Sequence, residues 1–493
     1  VPPDHVQKVS DANWLQIIDG KNWANRKDRW LQVTRGVVGE VSVRTFASDF
    51  RSAAHHQPER FAKLALRIPP DANGHYLSSL LDAFRETKPP QNFPSDLTWE
   101  RAPHSLIEQI MQRFGHRLDN TDFAQALCRA VEARADEEWS DACLRHIMQI
   151  AVGHADPERD YFSCQHSARG SSGSTQEMEP DLESSALNCA RGAAARCIAG
   201  LLFERTDRFT LLKPAIEALV IDGHPSVRMA SVGIALAMMN VNQSDAVNLC
   251  IHACHHDDDG ILVGHELQEF LSYTVGDFLD RLLPLIHRMI NSTKDNVAKA
   301  GASWAAVVFA HDGRLSDLVQ TCVDGSQPKR LGVAEVLSRE SGQGRTGEPA
   351  REIVAQLFKD ADADVRARAA SVLFYDKVWQ TDFALPLAHR LLKSEAAGQS
   401  LDRILHSLKD TRSSLAPYGT LILEICRLIA DRANAPQDGG RSVHSFGYLL
   451  SPVLLRLYEQ SEGNRDLRRQ CLNAWDALLQ ARVGLEALSQ LEQ

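Results

Sequence analysis

HPSVRMASVGIALAMM at residues 224–239, VAKAGASWAAVVFA at 297–310 and VRARAASVLF at 365–374 decide how this chain is read. From Val227, Val297 and Val365 each runs on with few polar side chains for two turns or more. A helix that is apolar nearly all round has no face for water and belongs between other layers. Ala230, Ala300, Ala302, Ala369 and Ala370 are small enough to let neighbouring helices come close. Thirteen residues before Val227, Val297 and Gln399 stands a proline inside an amphipathic pattern: Pro214 in LLKPAIEAL, Pro284 in LLPLIHRMI and Pro386 in ALPLAHRLL. A proline inside a helix removes a backbone donor and bends it, which suits the outer helix of a curved stack.

These prolines are 70 and 102 residues apart, multiples of 35 and 34. Second helices start near Ala190, Val227, Leu262, Val297, Arg330, Val365 and Gln399, at steps of 33 to 37 residues. A further one starts near Leu467, 68 residues on, with room for one irregular unit around DRANAPQDGGRS at 431–442. A fixed period of this size predicts an all-α chain, an α-solenoid of helical pairs.

Outward from the array, the chain divides into four parts. Residues 1–42 are a Trp-rich lead-in or linker, with Trp14, Trp23 and Trp30 among basic residues. Ser10 and Asp11 are candidate N-caps for a short helix there. The tryptophans are read as docking on the first helices rather than as a nucleic-acid stacking platform. Residues 43–163 form an N-terminal helical segment. It includes HHQPERFAKLALRIP, with Pro58 at a first-turn position, and is broken by KPPQNFPSD at 88–96. Residues 164–182, CQHSARGSSGSTQEMEPDL, are a flexible loop, and 183–493 are the repeat array.

The 493 residues are 44% hydrophobic, 24% charged and only 6% aromatic, an ordinary globular balance that leans away from β-sandwiches. With 54 Lys and Arg against 64 Asp and Glu, the net charge is −10, so the chain is no generic polyanion binder. Ten cysteines without framework spacing point to reduced thiols and a cytoplasmic protein. No apolar run approaches a membrane span; Trp304 to Ala310 is seven residues. The start, VPPDHVQKVSD, has neither an initiator Met nor a signal-peptide core, so a fragment or processed product is expected, with an effector or motor upstream.

HPSVRMASVGIAL and DADADVRARAASVLF resemble the second helix of HEAT repeats: an acidic residue or turn, Val-Arg, then spaced alanines. The resemblance covers roughly residues 183–482 and implies architecture, not activity. SDANWLQIID, PERFAKLALRIPPDANGHYLSSLL and ESSALNCARGAAARCIAGLL, in that order, resemble the C-terminal helical region of bacterial STAND-class NTPases, which carry a NACHT-like motor upstream. That resemblance implies a sensor of antiphage defence, whose C-terminal repeats meet a ligand, often a phage component, before the effector acts.

Motifs for chemistry are few. Gly342-Gln-Gly344-Arg-Thr-Gly347 matches GxGxxG but follows a helical segment rather than a strand, and no Walker A loop exists. Cys250, Cys254 and His255, with the acidic run Asp257–Asp259, have metal-like types, and Cys250 and Cys254 share a helix face. No second Cys/His pair lies nearby; Cys164, His166 or His265 would have to be brought in by folding. The cluster is therefore read as a repeat helix ending in polar residues, with no metal and no cofactor. His265-Glu266 lacks the second histidine of HExxH, since Glu269 stands there. No GxSxG elbow or carboxylate dyad is present.

Arg191, Arg228, Arg366 and Arg468 recur at the starts of second helices and are read as a structural ladder, with Asp222, Asp362 and Asp364 as acidic partners. Arg196, Lys299 and Arg368 lie further along and are the candidate ligand-binding strip. The chain is expected to be a non-catalytic scaffold for a protein ligand or partner domain, not associated with a membrane. The alternative is nucleic-acid binding by a basic concave face, recognisable by strong salt dependence.

Overall fold

The computed structural model describes residues 8–19, 29–34, 37–91, 93–96, 98–158, 181–256, 258–340, 347–434 and 445–483. The chain divides into two compact units, Val1–Leu282 and Leu283–Gln493. The first holds α1 (Asp11–Ile18), strands β1 (Arg29–Thr34) and β2 (Val37–Val41), and then α2 (Val43–His56), α3 (Pro58–Ala65), α4 (Gly74–Phe84), α5 (His104–Phe114), α6 (Thr121–Glu132) and α7 (Asp141–Gly153). It continues with α8 (Leu182–Leu187), α9 (Ala190–Glu204), α10 (Phe209–Val220), α11 (Pro225–Met238), α12 (Gln243–Ala253) and α13 (His265–Thr274). The division falls inside α14 (Leu279–Ile290). The second unit holds α15 (Asp295–Asp312), α16 (Ser316–Val323), α17 (Gln327–Glu340), α18 (Gly347–Leu357), α19 (Ala363–Ala370), α20 (Ala384–Leu392), α21 (Ala397–Asp410), α22 (Gly419–Asn434), α23 (Ser445–Gln460) and α24 (Arg465–Gln480). No described helix is long and apolar enough to cross a membrane.

Consecutive helices alternate between two layers. In the first unit α2, α4, α6, α9, α11 and α13 each pack on the next, and α3, α5, α7, α10 and α12 do the same. In the second, α15, α17, α19, α21 and α23 form one layer and α18, α20, α22 and α24 the other. This is the α-solenoid arrangement of HEAT-like helical pairs. The alternation begins at α2, not at residue 183: α6 and α7 pack directly on α9, so the helices of 43–153 belong to the same stack. The expected loop at 164–182 lies outside the described residues except for Asp181 and Leu182; the Asp181 carboxylate caps α8 by accepting from Ser184 N at 2.9 Å.

The lead-in is more structured than its composition suggests. Ser10 caps α1, and Trp14 is buried with its ring edge-on to Phe50 at 5.2 Å and Phe61 at 6.2 Å. Asp11 pairs with Arg60 at 2.6 Å. β1 and β2 form an antiparallel hairpin, Arg29 opposite Val41 and Leu31 opposite Gly39, with an irregularity between Gln32 and Thr34. RWLQVT and VVGEV are rich in β-branched and aromatic types that favour strands. They are too short to register in a reading built on helical period. Trp23 lies outside the described residues.

The apolar second helices behave as their composition requires, with two exceptions. α11 is buried along nearly its whole length, Val227 and Ile234 included. In α15 a stripe through Lys299, Ala300, Ser303, Trp304 and Val307 is half-buried, so this helix is not covered all round. α19 ends at Ala370 and tightens into a 3-10 turn at Ser371–Leu373, with Val365 and Leu373 still buried.

Pro214 and Pro284 lie inside α10 and α14, and Pro452 lies inside α23. Pro386 is the third residue of α20, in the first turn, where a helix has no intrahelical acceptor for an N–H. Leu467 does not open a second helix. Its helix, α24, packs in the layer of α18, α20 and α22, while α23 packs on α21. The residues between Asn434 and Ser445 lengthen that unit, so counting on from Gln399 at the repeat period lands in the wrong layer.

Glycine sets the closest approach between second helices. A Cβ at Gly332 of α17 would lie 2.3 Å from the Lys299 carbonyl oxygen of α15. Alanine is the better helix former by about 1 kcal/mol. Gly332→Ala should nevertheless lower the urea midpoint measured by circular dichroism, because α15 and α17 must separate. Leu373→Ala, which empties a buried site, should cost about 2–5 kcal/mol. A Gly332→Ala chain more stable than the parent would contradict the tight crossing.

Candidate functional site

Helix α11 begins after a turn held by Asp222. The Arg191 guanidinium of α9 grips Asp222 with both Nε–Oδ2 at 2.8 Å and Nη2–Oδ1 at 3.2 Å. Asp222 Oδ1 also accepts from His224 N at 2.8 Å, and its carbonyl accepts from Arg228 Nη1 at 2.6 Å. Arg228, buried, then reaches Asp258 at 2.7 Å. The second unit repeats this arrangement at Asp360. Arg330 binds it through Nε–Oδ2 at 2.7 Å and Nη2–Oδ1 at 3.2 Å. Asp362 N donates to its carboxylate at 2.8 Å, Arg366 Nη1 donates to its carbonyl at 2.6 Å, and Arg366 pairs with Glu395 at 3.5 Å. Two-point guanidinium–carboxylate pairs of this kind fix geometry as well as charge.

Of the expected acidic partners, Asp222 is one, but Asp362 and Asp364 are not. Asp362 caps α19, accepting from Asp364 N and Val365 N, and the Val365 N–H chiefly holds its carboxyl below the usual range. Asp364 is exposed. Arg330, not named from the sequence as a ladder residue, stands one period before Arg366 and was recoverable from that spacing. Arg468 is not a ladder residue: it lies in the other layer, with Nε donating to the Tyr458 carbonyl at 3.4 Å and its guanidinium 4.7 Å from the Tyr458 ring centroid. At the turn before α15 the cap survives without the charge. Ser292 Oγ accepts from Lys294 N at 3.2 Å, and Ala298 stands where Arg228 and Arg366 stand.

The candidate strip is not a row of free cations. Arg196 Nη2 lies 3.3 Å from Glu132, and Lys299 Nζ lies 2.7 Å from Glu335. Arg368 is exposed, and its charge helps to hold the Glu335 carboxyl below the usual range, behind the hydrogen bond from Lys299 and against the opposing effect of burial. Each cation faces a carboxylate on an adjacent helix because the strip positions point along the inter-helix seam. Arg196 does border a groove of about 520 Å³ lined by Arg85, Arg129, Glu132, Leu187 and Asn188 among others. Arg85 and Arg129 are far from Arg196 in sequence, and only the packing of α4, α6 and α9 brings them together. A second groove, about 560 Å³, lies between α22 and α24 and carries Arg427 and Asp431.

The cysteines face inward. The nine described ones are all buried. Burial pushes the Cys189 and Cys426 thiols up to about 12 and Cys322 to about 11. Cys250 is raised first by its hydrogen bond with Cys254 and then by burial. His255 is exposed, so the fold does not bring it together with the two buried thiols. Among the described residues no three His, Cys, Asp or Glu side chains are placed to hold a metal ion. Asp257, Cys164 and His166 lie outside those residues, as do Gly342 and Gly344, while Gly347 opens α18. The segment before those glycines is α17, a helix.

Neither the family models nor the curated proteins compared with the chain give a match. Among solved structures the chain resembles an engineered protein, at 12% identity and a TM-score of 0.27, over 88% of this chain and 94% of that one. It also resembles a structure of the Pds5–Scc1 complex, at 14% identity and a TM-score of 0.26, over 94% of this chain and 68% of that one. Likeness at these TM-scores carries no argument about fold or function.

Two outcomes follow from this geometry. Asp222→Ala and Asp360→Ala should each destabilise by about 1.5–3 kcal/mol in urea titrations, since each leaves a guanidinium and a turn N–H without their acceptor. Arg468→Ala should change stability by less than half of that. For the thiols, the folded pKa lies above the unfolded value of 9.0. Their contribution to stability is therefore intact below pH 9 and is lost as pH rises toward 12. Alkylation at pH 8 followed by peptide mapping should leave the nine described cysteines unmodified until denaturant is added; rapid labelling of Cys197 or Cys250 in the folded chain would contradict the burial.

Proposed function

We propose that the chain is a non-catalytic recognition scaffold for a protein ligand, and that it forms the C-terminal sensor region of a bacterial STAND-class NTPase acting in antiphage defence in the cytoplasm. The direction of its reactive side chains carries the first part of this reading. The described thiols are buried, and the ladder arginines are directed into the chain's own turns. The surface instead presents large apolar side chains: Phe203, Ile221 and Tyr273 in the first unit, and Tyr375, Tyr448 and Leu472 in the second. A helical stack offers an extended surface on which such side chains can meet another protein.

The sensor reading rests on the three resembling segments. They supply α1, α3 with α4, and α8 with α9, all in the first unit, where Trp14 of α1 packs against Phe61 of α3. The test is binding of individually purified phage proteins to the immobilised full chain at about 0.15 M salt. One of them is expected to bind with micromolar affinity or better, and the reading frame continuous with Val1 is expected to encode a P-loop motor. Failure of every phage protein, together with a frame lacking that motor, would remove the sensor reading.

A further inference from the structure

We infer that the groove between α4, α6 and α9 is a docking site for an acidic peptide segment of a protein partner, gripped by Arg85, Arg129 and Arg196 with Leu187 as its apolar contact. This inference names the partner chemistry for the protein-binding reading above and rests on it. The groove gathers three guanidiniums against one carboxylate, Glu132, in a chain whose net charge is −10. The local charge thus runs against the charge of the whole molecule, and it is made by residues from separate helices.

The rim is held in place. Arg129 Nη2 donates to the Leu187 carbonyl at 3.0 Å and to Gln125 Oε1 at 3.0 Å, while Gln125 Nε2 donates to the Asn188 carbonyl at 2.7 Å. These bonds fix the turn after α8 on α6 and present Leu187, 45% exposed, beside the charges. Arg85 and Arg196 have side chains 44% and 42% exposed. Their partners, Asp82 at 3.8 Å and Glu132 at 3.3 Å, form partly exposed pairs of the kind that contribute little to stability. Guanidinium forks match carboxylates in two-point geometry.

One feature favours a peptide over nucleic acid: among the described residues no aromatic ring lines the groove to stack a base. A volume of about 520 Å³ suits a few side chains, and Leu187 with Ala133 and Ala193 offers them apolar contact.

The test uses fluorescence anisotropy on the full chain with three labelled probes: the peptide Glu-Glu-Leu-Glu-Glu, its counterpart Lys-Lys-Leu-Lys-Lys, and a short oligothymidylate. The acidic peptide is expected to bind best and to weaken with added salt. Arg85→Glu with Arg196→Glu should reduce its affinity at least ten-fold, as expected for about 1.5 kcal/mol or more lost per charged hydrogen bond. The same double variant should favour the lysine peptide, and a helical circular dichroism spectrum with cooperative unfolding should show that it folds. Unchanged affinity for the acidic peptide in the folded variant, or tighter binding of the oligothymidylate by the parent, overturns the inference. A phage protein that binds the parent and the double variant equally also overturns the groove while leaving the scaffold reading intact.

Discussion

Everything in the stack depends on how the turn before each second helix disposes of its polar groups. A helix start leaves backbone N–H groups without acceptors, and packing the next pair against it removes the water that would serve them. Asp222 and Asp360 answer this with one side chain each. The carboxylate takes a turn N–H and the guanidinium of the preceding second helix, while the carbonyl takes the guanidinium of the following one. Three successive elements are thus tied at one residue. Small residues separately bring neighbouring second helices close, as Gly332 does against α15. A larger residue there would push α15 and α17 apart.

Much of this was legible in the residues. Period, apolar second helices and prolines inside first helices are local signals, and Val227, Val365 and their neighbours are buried as those signals require. The ladder was partly legible: Arg191 stands 31 residues before Asp222 and Arg330 stands 30 before Asp360, although the partner of each arginine depends on which acidic residue sits inside the turn and which caps the helix. What failed did so for identifiable reasons. Arg468 and Leu467 were placed by counting, and an insertion of ordinary length moved α24 to the other layer. The hairpin β1–β2 was too short for a periodic search. The basic groove had no sequence signature at all, because Arg85, Arg129 and Arg196 converge only through packing of three helices.

The distribution of charge also separates architecture from recognition. Ladder arginines are largely covered and paired, whereas Arg85 and Arg196 are nearly half exposed with weaker partners. Lys299, Glu335 and Arg368 make an intermediate case, a cluster in which the carboxylate is held ionised by its cations. A residue type alone therefore says little about its role here. Its position along the second helix says more: the first turn faces the neighbouring turn, and later turns face the seam or the groove.

Arg191 joins α9 to the turn at Asp222 and Arg330 joins α17 to the turn at Asp360, 31 and 30 residues further along the chain. Each of these two clamps spans only neighbouring repeats. Under tension applied at its ends, such a chain yields turn by turn rather than all at once. Each helical pair that lets go frees about 35 residues, or roughly 120 Å of extended backbone. At the turn before α15, Ser292 stands where Asp222 and Asp360 stand in theirs. Force on this molecule would therefore be converted into a series of discrete extensions, one repeat at a time.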